Sequence, residues 1–206
     1  MTTIKAVVFD WGGVLIESPA RGMYQYWAEK LGVPLEEVRS VYRQHTVEMH
    51  KGTMSEDEFW TIVRKALNIA PKGFSKNESL YANALRYAYK PFPEMFALIE
   101  ILRKQNYKVG FLSNAEKPME QVFKEKDLGK LFDVKVFSFE EHTAKPEQKI
   151  YEILLQRLER KPEEVVFIDD KQENVDGAVK VGIKGILFKS PEQVKEELKG
   201  LGVKVD

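Results

Sequence analysis

Cysteine is absent from the sequence, which excludes disulfides, thiolate metal sites and cysteine nucleophiles while naming no compartment. An excess of one charge is lacking too. Lysine plus arginine and aspartate plus glutamate both number 32, so no net field points toward nucleic acid or an anionic membrane. No apolar segment approaches the roughly 20 residues needed to cross a bilayer. The opening MTTIKAVVFD holds an apolar run too short for a signal-peptide core and offers no cleavage site. Internal repeats and low-complexity tracts are missing as well. The expectation is a soluble, cytoplasmic chain of 206 residues, long enough to bury a real core.

What the sequence does contain is five β-rich apolar runs: IKAVVFD, YKVGFLSN, VKVFSF, EVVFIDD and KGILFK. Each is short and almost continuously apolar, which suits strands buried on both faces of a parallel sheet. Helical patterns lie between the later runs. PEMFALIEILRKQN, PEQKIYEILLQRLER and PEQVKEELKG each place a proline (Pro93, Pro146, Pro191) at an expected first helical position. Alternating strands and helices predict a doubly wound, Rossmann-like α/β sheet with right-handed crossovers. Residues 18–90 break the alternation with four helical patterns, GMYQYWAEKLG, PLEEVRSVYRQHTVEMHKG, SEDEFWTIVRKALNI and NESLYANALRYAYK. They predict a helical insert between the first two strands. Its aromatic residues, among them Tyr24, Trp27, Phe59, Trp60 and Tyr87, are expected to form a bundle core, with a minority lining a pocket.

Ligands of doubly wound sheets bind beyond the carboxyl ends of the strands. Four such ends carry polar residues: Asp10-Trp11-Gly12-Gly13, Ser113-Asn114, Thr143-Ala144-Lys145-Pro146 after the third run, and Asp169-Asp170. Singly, each has an ordinary reading as a turn carboxylate, a cap or a solvated lysine. Lys145 before a helix start would face the positive end of the dipole, an arrangement made sensible by a nearby anion. Asp170 could cap the following helix. Adjacent acids at the mouth of a buried strand, however, repel each other unless a cation or donors compensate. Position six after Asp170 is Val175 rather than glycine, so an EF-hand loop does not fit. A hard cation held by Asp10 and the late acids fits better. A carboxylate nucleophile, a hydroxyl, a lysine and a further carboxylate around one magnesium ion are what phosphoryl transfer through an aspartyl-phosphate requires. Gly12 and Gly13 would let the backbone approach phosphate and metal closely.

With these residues in view, the chain resembles the haloacid dehalogenase superfamily of phosphohydrolases along nearly its whole length. VVFDWGGVL resembles the first motif, FLSNA the second, TAKPEQKIY the third and VVFIDDKQENVDGA the fourth. The resemblance implies a core domain of residues 1–17 and 91–206 and a helical cap domain of residues 18–90. It implies Asp10, Ser113 and Lys145 as catalytic residues. Trp11, Gly12, Ser113, Asn114 and Lys145 would bind phosphate, and Asp10, the Gly12 carbonyl, Asp170 and, through water, Asp169 would bind Mg2+.

One position departs from the family. The residue two after the nucleophile is, when aspartate, the general acid and base, and here it is Gly12. Loss of positioned acid–base catalysis costs about 100- to 10,000-fold, or about 3 to 5 kcal/mol. The expectation is therefore a magnesium-dependent phosphatase of a small phosphorylated metabolite, favouring good leaving groups such as acyl, aryl or sugar 1-phosphates. Glu17, His45 and His50 are candidate substitute acids. Two alternatives stand beside it: a catalytically weak phosphate-binding protein, and a dehalogenase using Asp10 to displace halide. The expected partner is a small phosphorylated substrate, with no nucleic acid or membrane; the sequence does not indicate an oligomeric state.

Overall fold

A computed structural model of the chain describes residues 3–69 and 78–206. Strand β1 (Ala6–Phe9) is followed by four helices, α1 (Ala20–Leu31), α2 (Leu35–His50), α3 (Glu56–Ala66) and α4 (Leu80–Tyr87). Then come α5 (Pro93–Lys104), β2 (Lys108–Ser113), α6 (Met119–Glu125), β3 (Val134–Phe137) and α7 (Ser138–Glu141). The chain closes with α8 (Gln148–Leu158), β4 (Val165–Asp169), α9 (Gln172–Lys180), β5 (Lys184–Leu187) and α10 (Pro191–Gly200). Asn77, where the sequence pattern starts its fourth helix, lies outside the described residues.

The five strands form one parallel sheet in the order β3-β2-β1-β4-β5. Chain direction through the sheet reverses at β1, so β1 and β4 flank the crevice where such folds collect ligands. Alternate strand residues feed two cores. Val7, Phe9, Phe111 and Ile168 pack with α5, α6 and α10 on one face, through Met95, Leu98, Val122, Phe123, Val194 and Leu198. Ala6, Val8, Leu112 and Phe167 pack with α8 and α9 on the other, through Ile150, Leu154, Leu158 and Ala178. This double burial is why the strands read as continuous apolar runs instead of alternating ones. The fold is an α/β, Rossmann-like sheet with helices on both faces.

Two details differ from the sequence pattern. Pro93 and Pro191 open their helices as expected, but α8 starts at Gln148, two residues after Pro146. The segment from Lys145 to Glu147 is instead a turn, closed by Glu147 N–H donating to the Ala144 carbonyl at 2.8 Å. Among the insert's aromatics Trp27, Phe59 and Trp60 are buried, whereas Tyr87 is 52% exposed. It is the last residue of α4 and rests against Tyr26, with ring centres 5.6 Å apart.

The inserted helices lean over the carboxyl ends of the strands. Their two connections to the sheet run side by side: Glu17 N–H donates to the Lys90 carbonyl at 2.8 Å and Phe92 N–H to the Leu15 carbonyl at 2.9 Å. Contacts further out pin them down. Arg86 on α4 makes a bidentate pair with Glu125 on α6, at 2.8 and 2.7 Å, and Lys51 reaches Glu147 at 2.6 Å. Gly52, in the left-handed region at φ 63°, lies against the Phe139 carbonyl so closely that a Cβ would overlap it. No helix among the described residues is long and apolar enough to cross a membrane.

Candidate active site

β1 runs between β2 and β4 and delivers Asp10 one residue past its end, with Asp10 N–H donating to the Ile168 carbonyl at 3.0 Å. The chain must then turn sharply. The Trp11 carbonyl accepts from Leu15 N–H at 2.9 Å and Ile16 N–H at 3.2 Å, while Gly13, at φ 91°, donates to the Ile16 carbonyl at 2.8 Å. A Cβ on Gly13 would overlap the Asp170 carboxylate, so this glycine is what admits that acid to the site. Gly12 is limited by a different neighbour. A Cβ there would stand 2.9 Å from Cδ of Pro19, the residue that precedes α1.

Lys145 is buried between two carboxylates. Its Nζ donates to Asp10 Oδ1 at 2.8 Å, to Asp169 Oδ2 at 2.6 Å and to the Leu112 carbonyl at 3.1 Å. Burial alone would lower its pKa, but the two acids outweigh burial and hold the ammonium charged. Asn114 fixes the lysine's backbone from both sides: its Nδ2 donates to the Lys145 carbonyl and its Oδ1 accepts from Lys145 N–H, both at 2.8 Å. Both ends of the Asn114 amide are thus committed to placing the lysine. Ser113, also buried, reaches only the Asn114 carbonyl at 3.5 Å, which leaves its hydroxyl ready to donate elsewhere.

The two late acids differ. Asp169 is fully buried and saturated, accepting from Lys145, from Lys171 N–H at 2.9 Å and from Asn174 Nδ2 at 2.9 Å. Asp170 does not cap α9, whose N-cap is Lys171 without a side-chain cap bond. Its Oδ1 is instead buried without any partner.

Asp10, Asp169 and Asp170 present oxygens within 4.8 Å of one another. Among the described residues one ammonium, that of Lys145, stands at hydrogen-bond distance from this cluster, so its acidic groups outnumber the basic one. Burial, opposed by Lys145 and reinforced by Asp169, pushes the Asp10 carboxyl up to about 7. Asp170 is raised for the same reasons, burial first and Asp169 second. A dication would relieve all three effects. It would meet an all-oxygen donor set including the orphaned Asp170 oxygen, which is the chemistry that hard cations take. The residues present therefore fit such an ion.

Asp10, Trp11, Gly12, Ser113, Asn114, Lys145 and Asp170 border one cavity of about 390 Å3 between the strand ends and the inserted helices. Asp169 lies behind it, linked through Lys145. Of the three candidate substitute acids, His50 borders the cavity. Glu17 is 56% exposed and pairs with Lys90 at 3.5 Å, and His45 is not on the cavity wall.

Tyr24 and Trp27, among the insert aromatics expected to include a few pocket-lining residues, stand on the far wall with His50, but sequence reasoning missed the acid they surround. Glu116 is 2% exposed and accepts hydrogen bonds from the hydroxyls of Tyr42 on α2 and Tyr81 on α4, with His50 Nε2 at 3.4 Å. It also missed Asn174, the orienting partner of Asp169. The available signal for Glu116 was its place three residues beyond Ser113, as a charge directly after a polar strand end.

A sequence model of the hydrolases described as haloacid dehalogenase-like matches residues 4–182. Among characterised relatives, the chain is 27% identical over 191 residues to the phosphorylated carbohydrates phosphatase of Thermotoga maritima, covering 89% of this chain and 84% of that protein. It is 26% identical over 196 residues to the (S)-2-haloacid dehalogenase 4A of Burkholderia cepacia, covering 89% and 82%. Acyl-CoA dehydrogenase family member 10 of Mus musculus is 28% identical over 204 residues, which is 96% of this chain but 19% of that much longer protein. Among solved structures, a family enzyme of Bacteroides thetaiotaomicron in complex with magnesium and inorganic phosphate superposes with a TM-score of 0.72 at 22% identity, covering 90% of this chain and 94% of that one. With its strand-end acids and lysine gathered at one cavity and the match running from residue 4 to 182, the chain belongs to the haloacid dehalogenase-like hydrolases.

Proposed function

We propose that the chain is a magnesium-dependent phosphatase that acts on a small phosphorylated metabolite through an aspartyl-phosphate on Asp10. The observation that carries this reading is the charge imbalance: three clustered carboxylates, one lysine and a buried Asp170 oxygen without a partner. Asp10, the Gly12 carbonyl and Asp170 would hold Mg2+, which when bound supplies positive charge to the phosphate oxygens and to Asp10. Asp169, saturated by protein donors, acts mainly by holding Lys145. The Thermotoga relative that carries a phosphatase name and the neighbour crystallised with magnesium and phosphate support the same assignment.

The residues divide the work as follows. Lys145 holds one Asp10 oxygen, and the other attacks phosphorus. The ester P–O bond breaks and the leaving group departs as its alkoxide or aryloxide with the bonding electrons, taking a proton from solvent because Gly12 offers none. Ser113 and the backbone amides after Asp10 receive the phosphate oxygens, and the Lys145 ammonium adds its positive charge beside them. Water then attacks the phosphorus of the intermediate, releasing phosphate and restoring Asp10. Helices α1–α4, within residues 18–90, act as a cap over a core of residues 1–17 and 91–206, excluding water during the first step and reopening for the second. With Gly12 at the acid/base position, and Pro19 filling the space its side chain would need, esters with stable leaving groups turn over best.

A second reading, the dehalogenase, has the Burkholderia relative in its favour. Against it, halide displacement gains nothing from unbalanced acids. The test is turnover of p-nitrophenyl phosphate with and without magnesium, in the wild type and Asp10→Asn, followed by a single turnover in 18O-labelled water. Phosphatase chemistry requires magnesium, is lost in Asp10→Asn, and delivers the label to phosphate. Chloride release from a 2-haloacid without magnesium, with the label entering the Asp10 carboxylate, would overturn it. So would phosphate binding without turnover.

A further inference from the structure

The Glu116 carboxylate has no part in the chemistry just described, yet it borders the same cavity as Asp10. It belongs to the loop after β2, on the sheet side, while all its donors come from the inserted helices: Tyr42 and His50 from α2 and Tyr81 from α4. Burial would raise its pKa, but His50 and the two hydroxyls outweigh that and hold it below the usual glutamate range. It is therefore a fixed negative charge, 2% exposed, in a place where water screens poorly.

Apart from Arg43 and Thr46, the rest of that wall is apolar or aromatic. Met23, Trp27, Leu85 and Met119 line the cavity together with Tyr24, Tyr42 and Tyr81. Arg43 also reaches the wall, but it is solvent-exposed, so its field is screened. A substrate with its phosphate at Asp10 must put its leaving alcohol against this wall.

We infer that Glu116 is a specificity-determining residue that selects phosphate monoesters whose leaving alcohol is uncharged or cationic and rejects those bearing a second anion. The inference rests on the phosphatase reading and adds to it the charge class of the substrate. Two like charges ~8 Å apart at a protein-like dielectric repel enough to shift binding about 30-fold. The same carboxylate would accept a hydrogen bond from a hydroxyl or ammonium group at that end, which adds to the discrimination.

Three esters of similar size and the same primary-alcohol linkage provide the test: phosphoethanolamine, glycerol 3-phosphate and 3-phosphoglycerate. Each is measured as a competitive inhibitor of p-nitrophenyl phosphate hydrolysis under saturating magnesium at about pH 8, where the phosphate monoesters are dianions. The wild type should bind the first two at least about tenfold more tightly than 3-phosphoglycerate. Glu116→Gln should bring the three within about threefold of one another, and Glu116→Asp, which keeps the charge, should retain the order. A wild type that binds 3-phosphoglycerate as well as glycerol 3-phosphate overturns the inference without any variant, as does an unchanged ratio in Glu116→Gln. If the Gln variant does not fold, the order of the cationic, neutral and anionic esters on the wild type decides. Absence of any magnesium-dependent p-nitrophenyl phosphate turnover would instead strike the phosphatase reading, and this inference with it.

Discussion

Asp10 is opposed by burial and by its acidic neighbour Asp169, and the one ammonium that steadies it is itself held by Asn114. Asn114 therefore matters through Lys145, since both of its amide atoms are spent on that residue's backbone. Asn114→Ala should lower kcat by roughly 100-fold, the scale set by an ångström of misplacement in a catalytic group. Steady-state kinetics checks it; a variant with wild-type kcat would return Asn114 to an ordinary turn role. Gly12 makes a second case. Because a Cβ there meets the Pro19 ring at 2.9 Å, Gly12→Ala should destabilise the fold by about 1–3 kcal/mol in urea denaturation. For the same reason Gly12→Asp should speed hydrolysis of alkyl phosphates only when combined with Pro19→Ala. Asp10, Ser113, Asp169 and Asp170 were legible as candidates because each stands at or just beyond the end of an apolar run, and Lys145 because a lysine before an expected helix start calls for a nearby anion. Glu116 was not, because Tyr42 and Tyr81, which give it meaning, lie 74 and 35 residues away.

Among the elements, strands declared themselves by continuous apolar runs, and helices by their periodicity and, for α5 and α10, by a proline at the first position. The capping boxes that Ser55 gives α3 and Ser190 gives α10 were local signals left unread. The start of α8 escaped, because tertiary bonds from Asn114 claim Lys145 before the helix can begin, and nothing local signals that. The placement of the insert over the strand ends came from the family resemblance and not from any local pattern, since it depends on long-range pairs such as Arg86 with Glu125. Glu116 joins α2 and α4 to the sheet, and its pH dependence tests that junction. A carboxyl whose folded pKa is depressed stabilises above its unfolded value and loses that contribution as pH falls through the folded one. The wild type should accordingly exceed Glu116→Gln in denaturant stability at neutral pH. The gap should close as pH drops below the ordinary glutamate range near 4.5. A gap that stays constant down to strong acid would remove the charge from the explanation.

For the whole molecule, an acidic cluster with an orphaned oxygen makes stability depend on its cation. A ligand present at 100 times its Kd stabilises by about 2.7 kcal/mol, which in a chain of this size raises Tm by roughly 5 to 10 °C. Magnesium should do so in thermal unfolding, chelation should reverse it, and Asp170→Asn should abolish it. The account stands on phosphorus reaching Asp10. Mixing the protein with magnesium and p-nitrophenyl phosphate, quenching in acid within a turnover and mapping peptides by mass spectrometry tests that directly. The account predicts the mass gain of one phosphoryl group on the peptide carrying Asp10, absent without magnesium and in Asp10→Asn. Turnover with that peptide never modified, or with the phosphoryl group on another residue, would contradict it.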